Sequence, residues 1–560
     1  MNEKLASLSD RYWDALMEAV PTWATILGDH RFDDRVEDPS LDAENSLIER
    51  LDGLVAEAEA IPVAGLDSDD RITRAVLLSE AGDQAEALRS RDAEYAVDPQ
   101  MGTHISMIQM VPQMQAATQE HAHAFVVKAS RTQSLFDSAA ERLRQGVANG
   151  RTPPRVAAEK VLAQIDVYLA GSVESDPWLQ VGPSQDMTED EIGAFRDAMA
   201  QRVIEDVRPA VARYRDCIRN EVLPASRPPE RSGICWLPDG EQVYASAIKK
   251  YTSLDFTAAE IHQIGLDEIS QLGDEYRAMG ATVLGTDDLD EIFDRLRNDT
   301  ELRFETAQQV QELAERAVAR ALEASPDWFG RLPEAPCLVA PIPDVGAEDA
   351  PLAYYLPPAE DGSRPGLFFI NLTAPETRTR YEAESLAFHE GVPGHHTQLA
   401  IAQELEGVPA FRRNGLVTAY VEGWGLYTER LADEMGLYSG DVERMGMLSF
   451  DSWRAGRLVV DTGIHALGWS RQQAIDFLAA NSPQALNNIE NEVDRYIGWP
   501  GQALAYKMGQ RAIFQARRKA ESTMGPAFDI KGFHDTVLES GPVPLGLMAD
   551  LVDEWAASTG

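Results

Sequence analysis

One nine-residue segment, 388–396, constrains this chain more than any other. It has the sequence Phe-His-Glu-Gly-Val-Pro-Gly-His-His, and it holds three of the ten histidines. The usual helical zinc motif places a second histidine four residues after a His-Glu pair, so that both imidazoles face one side and the glutamate serves as general base. Here the next histidines follow after six and seven residues. The fold must therefore deform this segment if it is to bind a metal.

Helix geometry shows how large that deformation must be. On a regular helix, His395 would lie about 120° around the axis from His389 and about 9 Å along it. His396 would lie only about 20° away in angle, but about 10.5 Å along the axis. Neither histidine could share an ion with His389 on such a helix. We favour His395 as the second ligand, and His396 stays open as the alternative.

The residues between the histidines supply the means of deformation. Proline removes a backbone donor, and the two glycines at 391 and 394 tolerate unusual backbone angles. We predict one helix over 380–406 with a widened turn that brings the second histidine beneath the first. The alternative is that the Pro-Gly pair ends the helix at Val392 and the later histidines begin the next helix.

A third ligand is expected from a neighbouring helix, and Glu422 is the candidate. It follows an apolar run at 416–421, where a carboxylate is costly unless it is paired or bound to metal. It also lies 27 residues after His395, which leaves room for one helix, a turn and an antiparallel return. The alternative is a buried ion pair with Arg412 or Arg413.

Composition excludes several classes of protein. The formal net charge is −42, so nucleic acid and anionic membrane surfaces are disfavoured as partners. Neither a membrane span nor a secretory signal is visible. The three cysteines, Cys217, Cys235 and Cys337, are widely spaced and odd in number, which argues against a disulfide framework and for a reducing compartment. We expect a cytoplasmic protein.

Hydrophobic periodicity is helical along most of the chain. Thr257 and Glu260 have the capping-box spacing that predicts a helix start. Three short runs bounded by proline and glycine predict strands: Leu338–Ile342, Ala353–Leu356 and Leu367–Leu372. The expected fold is therefore mainly α, with one small sheet just before the metal-binding helix. The run 367–372 could form an edge that accepts an extended peptide, or the strands could form a plain structural hairpin.

The best linker in the first half is 224–230, which is rich in proline. It divides the chain into an N-terminal helical region, 1–226, and a C-terminal region, 227–560, that carries the sheet and the metal-binding helices. We expect the two regions to form one continuous catalytic unit.

Several segments resemble the bacterial domain-of-unknown-function family number 885. They are Tyr12-Trp13, Leu27–Arg31, Ala387–His396, Val421–Trp424, Val459–His465 and Pro500–Ala503. That family is similar to zinc metallopeptidases whose third ligand is a glutamate, including the thimet-oligopeptidase and angiotensin-converting-enzyme type. The resemblance implies a large helical, two-lobed architecture with a deep cleft and zinc at its floor.

Other side chains could complete the site. Asp461 and His465 are four residues apart and share a helical face, so Asp461 could orient a ligand histidine. His465, Tyr496 or Tyr506 could donate a hydrogen bond to a developing oxyanion. Arg457 could pair with Asp461 or bind a substrate carboxylate.

The predicted function is a zinc-dependent hydrolase of peptide bonds in short oligopeptides. The metal ligands are His389, His395 and Glu422 around one Zn²⁺, and Glu390 is the general base. The predicted partner is a peptide or small-molecule substrate, and the oligomeric state stays open. One alternative is a zinc amidase acting on a non-peptide metabolite, and another is a non-catalytic binding protein that keeps the fold. Imidazole and carboxylate ligands would also accept manganese or cobalt.

Overall fold

The structure is a computed structural model that describes residues 1–342, 351–359, 364–415 and 417–559. The chain is 71% helical, and the described residues contain one three-stranded sheet. This confirms the predicted mainly α fold class. Within the described ranges, no helix is both long and apolar enough to cross a membrane.

Thirteen α-helices precede the sheet in the described residues. They are α1 Glu3–Ala19, α2 Pro21–Ile26, α3 Leu41–Glu59, α4 Ser68–Arg89, α5 Thr103–Ile105, α6 Gln119–Ala148, α7 Arg155–Ala170, α8 Glu189–Arg202, α9 Arg208–Cys217, α10 Gly240–Thr252, α11 Ala258–Val283, α12 Leu289–Asn298 and α13 Ala307–Ala324. Helix α11 begins with the predicted capping box. The Glu260 N–H donates to the Thr257 hydroxyl at 3.2 Å, and the Thr257 N–H donates to the Glu260 carboxylate at 2.8 Å.

Ten α-helices follow the sheet in the same described part of the chain. They are α14 Ala383–Glu390, α15 His395–Gln403, α16 Ala410–Arg413, α17 Thr418–Glu434, α18 Asp441–His465, α19 Arg471–Asn481, α20 Leu486–Gly498, α21 Ala505–Met524, α22 Ile530–Leu538 and α23 Leu545–Thr559. Helix α18 is buried along most of its length and packs against α11.

The sheet consists of β1 Cys337–Pro341, β2 Ala353–Leu356 and β3 Gly366–Ile370. All three predicted strands are present, with bounds within two residues of those expected. Their order is β1-β3-β2, with β1 parallel and β2 antiparallel to β3. The prediction that 367–372 is an edge is therefore wrong, because β3 has a hydrogen-bonded neighbour on each side. In the described sheet, β1 and β2 are the outer strands.

Two large apolar cores show how the two halves of the chain are related. The buried side chains of one core all lie within 97–222, in the N-terminal region. The other joins side chains of α1, α3 and α4 to side chains of α17 and of α21–α23. Residues from both sides of 226 thus pack together, and the segment 224–230 is itself held by backbone hydrogen bonds between Arg227 and 153–155. The division at 226 and the two-lobed shape stay predictions.

Candidate metal centre

The segment that carries the histidines is not one helix. Helix α14 ends at Glu390, and α15 begins at His395 after a four-residue connection whose Val392–Pro393 peptide bond is cis. The prediction of a single helix over 380–406 is therefore wrong. Proline has no N–H to continue the helical ladder, and the chain turns between the two helices instead. The alternative of a helix break describes the backbone better, although the break comes two residues before Val392.

Helix α17 fixes the position of this turn. Three hydrogen bonds join α17 to the turn and to the helices on either side of it. Thr428 Oγ1 donates to the Phe388 carbonyl at 3.1 Å, and Trp424 Nε1 donates to the Pro393 carbonyl at 3.0 Å. Gln398 Nε2 donates to the Tyr420 carbonyl at 3.2 Å. They connect α17 to α14, to the turn and to α15 in that order. The two helices that carry the histidines are thereby held against the helix that carries Glu422.

The turn brings the two predicted histidine ligands together. The rings of His389 and His395 lie edge to face, with centroids 4.7 Å apart. The Nε2 atom of each ring lies 3.6 Å from the same Oε2 atom of Glu422. The three donor atoms all lie within 4.8 Å of one another. Two short helices joined by a turn thus achieve the convergence that was expected from one widened helix.

This arrangement fits a bound zinc ion. Tetrahedral zinc with bonds of 2.0–2.2 Å separates its donor atoms by about 3.4 Å. The two measured nitrogen-to-oxygen distances of 3.6 Å are close to that value. Two imidazoles and one carboxylate form a donor set typical of catalytic zinc, in which the fourth position is left for water or substrate.

Glu429 supports this donor set, and the sequence did not reveal it. Nδ1–H of His389 donates to Glu429 Oε1 at 2.8 Å, and both side chains are buried. This hydrogen bond directs the lone pair of Nε2 toward Glu422, as carboxylates commonly do for ligand histidines. Glu429 lies seven residues after Glu422, two turns along the same face of α17. That spacing was the signal in the sequence that could have identified it.

A glycine on the same helix makes room for the ligand ring. A Cβ atom at Gly425 would lie 2.7 Å from Cε1 and Nε2 of His389. Any side chain at this position would therefore displace the imidazole. Gly423 instead allows α17 to lie close to α21, because a Cβ atom at this position would meet the backbone of Gly509 on α21.

The charges at the site are strongly coupled. Burial lowers the pKa of His389, but the carboxylates of Glu422 and Glu429 outweigh this effect and raise it to about 9. Burial raises the pKa of Glu422, but the two histidines dominate and lower it. Burial raises the pKa of Glu429, which His389 offsets only in part. The site therefore concentrates negative charge that a proton or a metal cation neutralises.

A cavity of ≈ 300 Å³ opens beside the donors. It is lined by Tyr354, Tyr355, His389, Glu390, His395, Leu399, Val421, Glu422, Arg454 and Tyr506. Glu390 follows His389 directly, and its carboxylate makes no hydrogen bond or ion pair with any described residue. A carboxylate in this position can take a proton from a water molecule held at the metal position.

A family model described as bacterial protein of unknown function (DUF885) matches residues 21–552. The chain belongs to DUF885. Two solved structures are similar to this member over nearly its whole length. A candidate lipoprotein from Colwellia psychrerythraea has 25% sequence identity and a TM-score of 0.91, with 100% of each chain covered. A candidate lipoprotein of unknown function from Shewanella oneidensis has 18% identity and a TM-score of 0.77, with 98% of this chain and 99% of that chain covered. No curated protein matches significantly.

His396 of this DUF885 member does not join the donor set. Its side chain is buried, and its Nδ1 lies 2.8 Å from the hydroxyl of Tyr355 on β2. Burial lowers the pKa of His396 to about 4. The geometry thus favours His395 as the second ligand and assigns His396 to the packing between α15 and the sheet.

His465 and Asp461 are also placed away from the donors. The Ile234 N–H donates to His465 Nδ1 at 3.2 Å, and His465 Nε2–H donates to the Tyr496 carbonyl at 2.9 Å. Asp461 accepts from the Tyr244 hydroxyl at 2.6 Å. Both ring nitrogens of His465 are engaged, and neither His465 nor Asp461 lines the cavity, so the structure does not bring the predicted catalytic His465 to the site. The carboxylate that contacts the candidate ligand His389 is that of Glu429, not that of Asp461.

The same is true of the predicted catalytic Tyr496. Its hydroxyl accepts from Trp453 Nε1 at 3.0 Å and from Arg457 Nε at 2.8 Å, and it donates to Glu492 at 2.7 Å. It is fully buried and does not line the cavity. Tyr506, the other tyrosine considered, does line it, and burial followed by the charge of Glu422 raises its pKa. Of the two tyrosines predicted for the oxyanion, Tyr506 is therefore the one that lines the cavity.

Proposed function

We propose that this DUF885 member is a zinc-dependent hydrolase of peptide bonds in short oligopeptides. The observation that carries this proposal is the convergence of His389 Nε2 and His395 Nε2 on one oxygen of Glu422, each at 3.6 Å. Glu390 lines the cavity beside these donors. The resemblance to zinc metallopeptidases with a glutamate third ligand supports the same proposal.

Each residue of the site has a distinct part in the proposed reaction. When bound, zinc would polarise the scissile carbonyl and lower the pKa of water. Glu390 takes a proton from the attacking water and delivers it to the leaving amine. Glu429 keeps Nδ1 of His389 protonated and so holds the ring in its ligand tautomer. The hydroxyl of Tyr506 donates a hydrogen bond to the oxyanion that develops on the carbonyl oxygen.

Strand β2 offers a way to position an extended substrate. It is an outer strand of the described sheet, and its Tyr354 and Tyr355 line the cavity. A peptide that added to an outer strand would place its backbone along the sheet and its scissile bond near the donors. This role replaces the one expected for 367–372.

The experiment compares metal content and peptide hydrolysis of the parent protein with those of Glu390→Gln. We expect one zinc per chain in both, and at least a 100-fold lower kcat in the variant, since it cannot move the proton. Glu406→Gln, at an exposed position just after the end of α15, is the matched control. It should have the metal content and the kcat of the parent. A parent that binds no metal, or a Glu390→Gln variant with full activity, would refute the proposal.

A second candidate is a zinc amidase acting on a non-peptide metabolite. The cavity volume of ≈ 300 Å³ favours it, because this is the lower end of the range for small-molecule sites. A peptide-library digest without cleavage by a zinc-loaded protein would favour the amidase. A non-catalytic binding protein would have no need for a base beside the donors.

Location and partners stay predictions. The three cysteines are free and fit a reducing, cytoplasmic compartment. Cell fractionation followed by detection of the protein would decide this, and recovery with membranes would argue against it. The absence of nucleic acid from the predicted partners rests on the net charge of −42.

A further inference from the structure

One buried cation at the cavity makes no ion pair with any residue that the structure describes. Arg454, on α18, is 6% exposed and lines the cavity with the metal donors. Its guanidinium makes no hydrogen bond or ion pair with any described residue, and its Nε and Nη1 atoms are buried without a partner. Burying an unpaired charged group is costly, so such an arginine calls for an explanation in function.

Aromatic rings hold this guanidinium in place. Its central carbon lies 4.4 Å from the ring centroid of Trp453, 4.5 Å from that of Phe450 and 5.9 Å from that of Tyr506. Cation–π contacts of this kind offset part of the desolvation cost. They engage the charge but use none of the N–H groups. A planar guanidinium with free N–H groups is suited to bind a carboxylate through two hydrogen bonds.

The next arginine along the same helix shows the contrast. Arg457 is also buried, but its Nε donates to the Tyr496 hydroxyl at 2.8 Å and its Nη2 donates to Glu492 at 2.9 Å. Arg457 thus has protein partners for two of its guanidinium nitrogens, although its Nη1 is buried without one, whereas the guanidinium of Arg454 has none among the described residues. Burial lowers the pKa of Arg454, and the negative charge of Glu429 offsets part of this effect, but the two side chains lie farther apart than an ion pair. Glu429 Oε1 instead accepts a hydrogen bond from His389.

We propose that Arg454 binds the free C-terminal carboxylate of the substrate, so that the enzyme cleaves peptides close to their C-terminus. The proposal rests on the proposed peptide hydrolysis. Arg454 and the metal donors line one cavity of ≈ 300 Å³, so a carboxylate held by Arg454 would lie in the same cavity as the scissile bond. The chain carries a net charge of −42, so a carboxylate substrate needs a local cation to enter this site.

The kinetic test uses three peptides: a free acid, the C-terminal amide of the same sequence, and an amide in which glutamate replaces the last residue. We expect the parent to cleave the free acid with kcat/KM about 100-fold above that of the amide, a range set by the loss of a buried charged hydrogen bond. Arg454→Gln should lower kcat/KM for the acid about 100-fold and leave the amide within about 3-fold. Arg454→Lys should recover part of the difference, because it restores the charge but not the fork.

Arg457→Gln is the matched control, since it removes a buried arginine one turn away on the same helix. We expect it to lower stability while the ratio between acid and amide stays as in the parent. An equal loss on acid and amide in Arg454→Gln would overturn the proposal and assign Arg454 to balancing Glu429. Efficient cleavage of the glutamate-ended amide would overturn it as well, because the arginine would then bind an acidic side chain.

A binding measurement separates this proposal from the proposed hydrolysis. Acetylglycine and acetylglycinamide are titrated into zinc-loaded Glu390→Gln and into the same variant carrying Arg454→Gln, with calorimetric detection. We expect acetylglycine to bind at least 10-fold more tightly than the amide, and only where Arg454 is present. If no peptide is cleaved but this preference is seen, hydrolysis is refuted while the carboxylate site stands. Equal binding of the two probes would overturn the carboxylate site.

Discussion

Among the residues that the structure describes, two groups of three metal-type side chains lie far apart in the sequence, and each has its donor atoms within 4.8 Å of one another. In the N-terminal group, the rings of His30 and His121 are stacked, with centroids 4.0 Å apart and an angle of 18° between their planes. Asp33, the third member, is already engaged, because it lies 2.8 Å from His30 Nδ1 and accepts from the Thr25 hydroxyl at 2.7 Å.

In the C-terminal group, the rings of His389 and His395 are inclined by 84°. Their Nε2 atoms share one oxygen of Glu422, whose carboxylate has no other hydrogen-bond partner among the described residues. An imidazole lone pair lies in the plane of its ring, so stacked parallel rings direct their lone pairs side by side, whereas inclined rings can direct them to one point. Proximity of donors is thus a weaker criterion for a metal site than the direction and freedom of their lone pairs.

The largest expected effect separates the two groups directly. Glu422→Ala or His389→Ala should reduce zinc affinity by more than about 1,000-fold, because changes in the residues behind metal ligands alone cost about 10–100-fold. His121→Ala should leave one zinc per chain. Metal content after dialysis, measured by mass spectrometry, checks this. Loss of the zinc on removal of His121 would reverse the assignment.

A smaller loss is expected from closing the space beside the ligand ring. Gly425→Ala would place a Cβ atom 2.7 Å from the His389 imidazole, so the ring must move and zinc affinity should fall about 100-fold. Gly53→Ala, in the interior of α3, meets no atom within 4 Å and serves as the control. We expect it to bind zinc as the parent does and to gain about 0.5–1 kcal/mol of helix stability. Competition with a fluorescent chelator measures both affinities, and equal affinities would contradict the expected displacement.

The next effect in size concerns the hydrogen bond between His389 and Glu429. Glu429→Gln removes the charge that holds Nδ1 of His389 protonated, and zinc affinity should fall about 10–100-fold. Asp33→Asn, which alters the corresponding histidine contact in the N-terminal group, should leave zinc binding unchanged. If both variants bound zinc equally well, Glu429 would be a packing residue only.

The smallest effect concerns a histidine that belongs to neither group. His534 is buried between the Tyr427 hydroxyl and the Trp328 carbonyl, and burial lowers its pKa from 6.5 to about 3. Between pH 6.5 and pH 3 the unfolded chain therefore binds a proton that the folded chain does not. The contribution of His534 to the free energy of unfolding is present above pH 6.5 and is lost as the pH falls toward 3. At pH 5.5 this loss is about 1.4 kcal/mol.

The difference between parent and His534→Gln isolates this contribution from that of other groups. The free energy of unfolding from urea titrations should fall about 1.4 kcal/mol less in the variant between pH 7.5 and pH 5.5. Parallel profiles for the two proteins would show that His534 takes up its proton without unfolding.

The sequence predicted those parts of the molecule that depend on unusual residues in local patterns. A His-Glu pair and a glutamate after an apolar run predicted three side chains whose donor atoms converge, and short runs bounded by proline and glycine predicted the strands. The capping box of Thr257 and Glu260 identified a helix start. The family match over 21–552 agrees with the resemblance to DUF885 that motifs in the sequence indicated.

The remaining features depend on contacts between distant segments. Arg454 looks like an ordinary helix-surface charge until the helices pack together and bury it. The spacing of Glu429 from Glu422 indicates a shared face of α17, but not the contact of Glu429 with His389. The direction of the chain after Glu390 depends in part on the hydrogen bond from Trp424 to the Pro393 carbonyl, and no local pattern specifies that contact. The central place of β3 follows from pairing with two strands at different distances along the chain, which strand propensity does not determine.

The four-residue connection between α14 and α15 has a consequence for how relatives of this protein are found. Because the turn separates the spacing of the histidines in the sequence from their spacing in three dimensions, a search pattern with a fixed four-residue interval passes over this chain. A search that compares the positions of two imidazole nitrogens and one carboxylate oxygen would retrieve it together with enzymes that carry the regular interval. Proteins with different intervals between their histidines can therefore be compared by donor geometry, even where their motifs cannot be aligned.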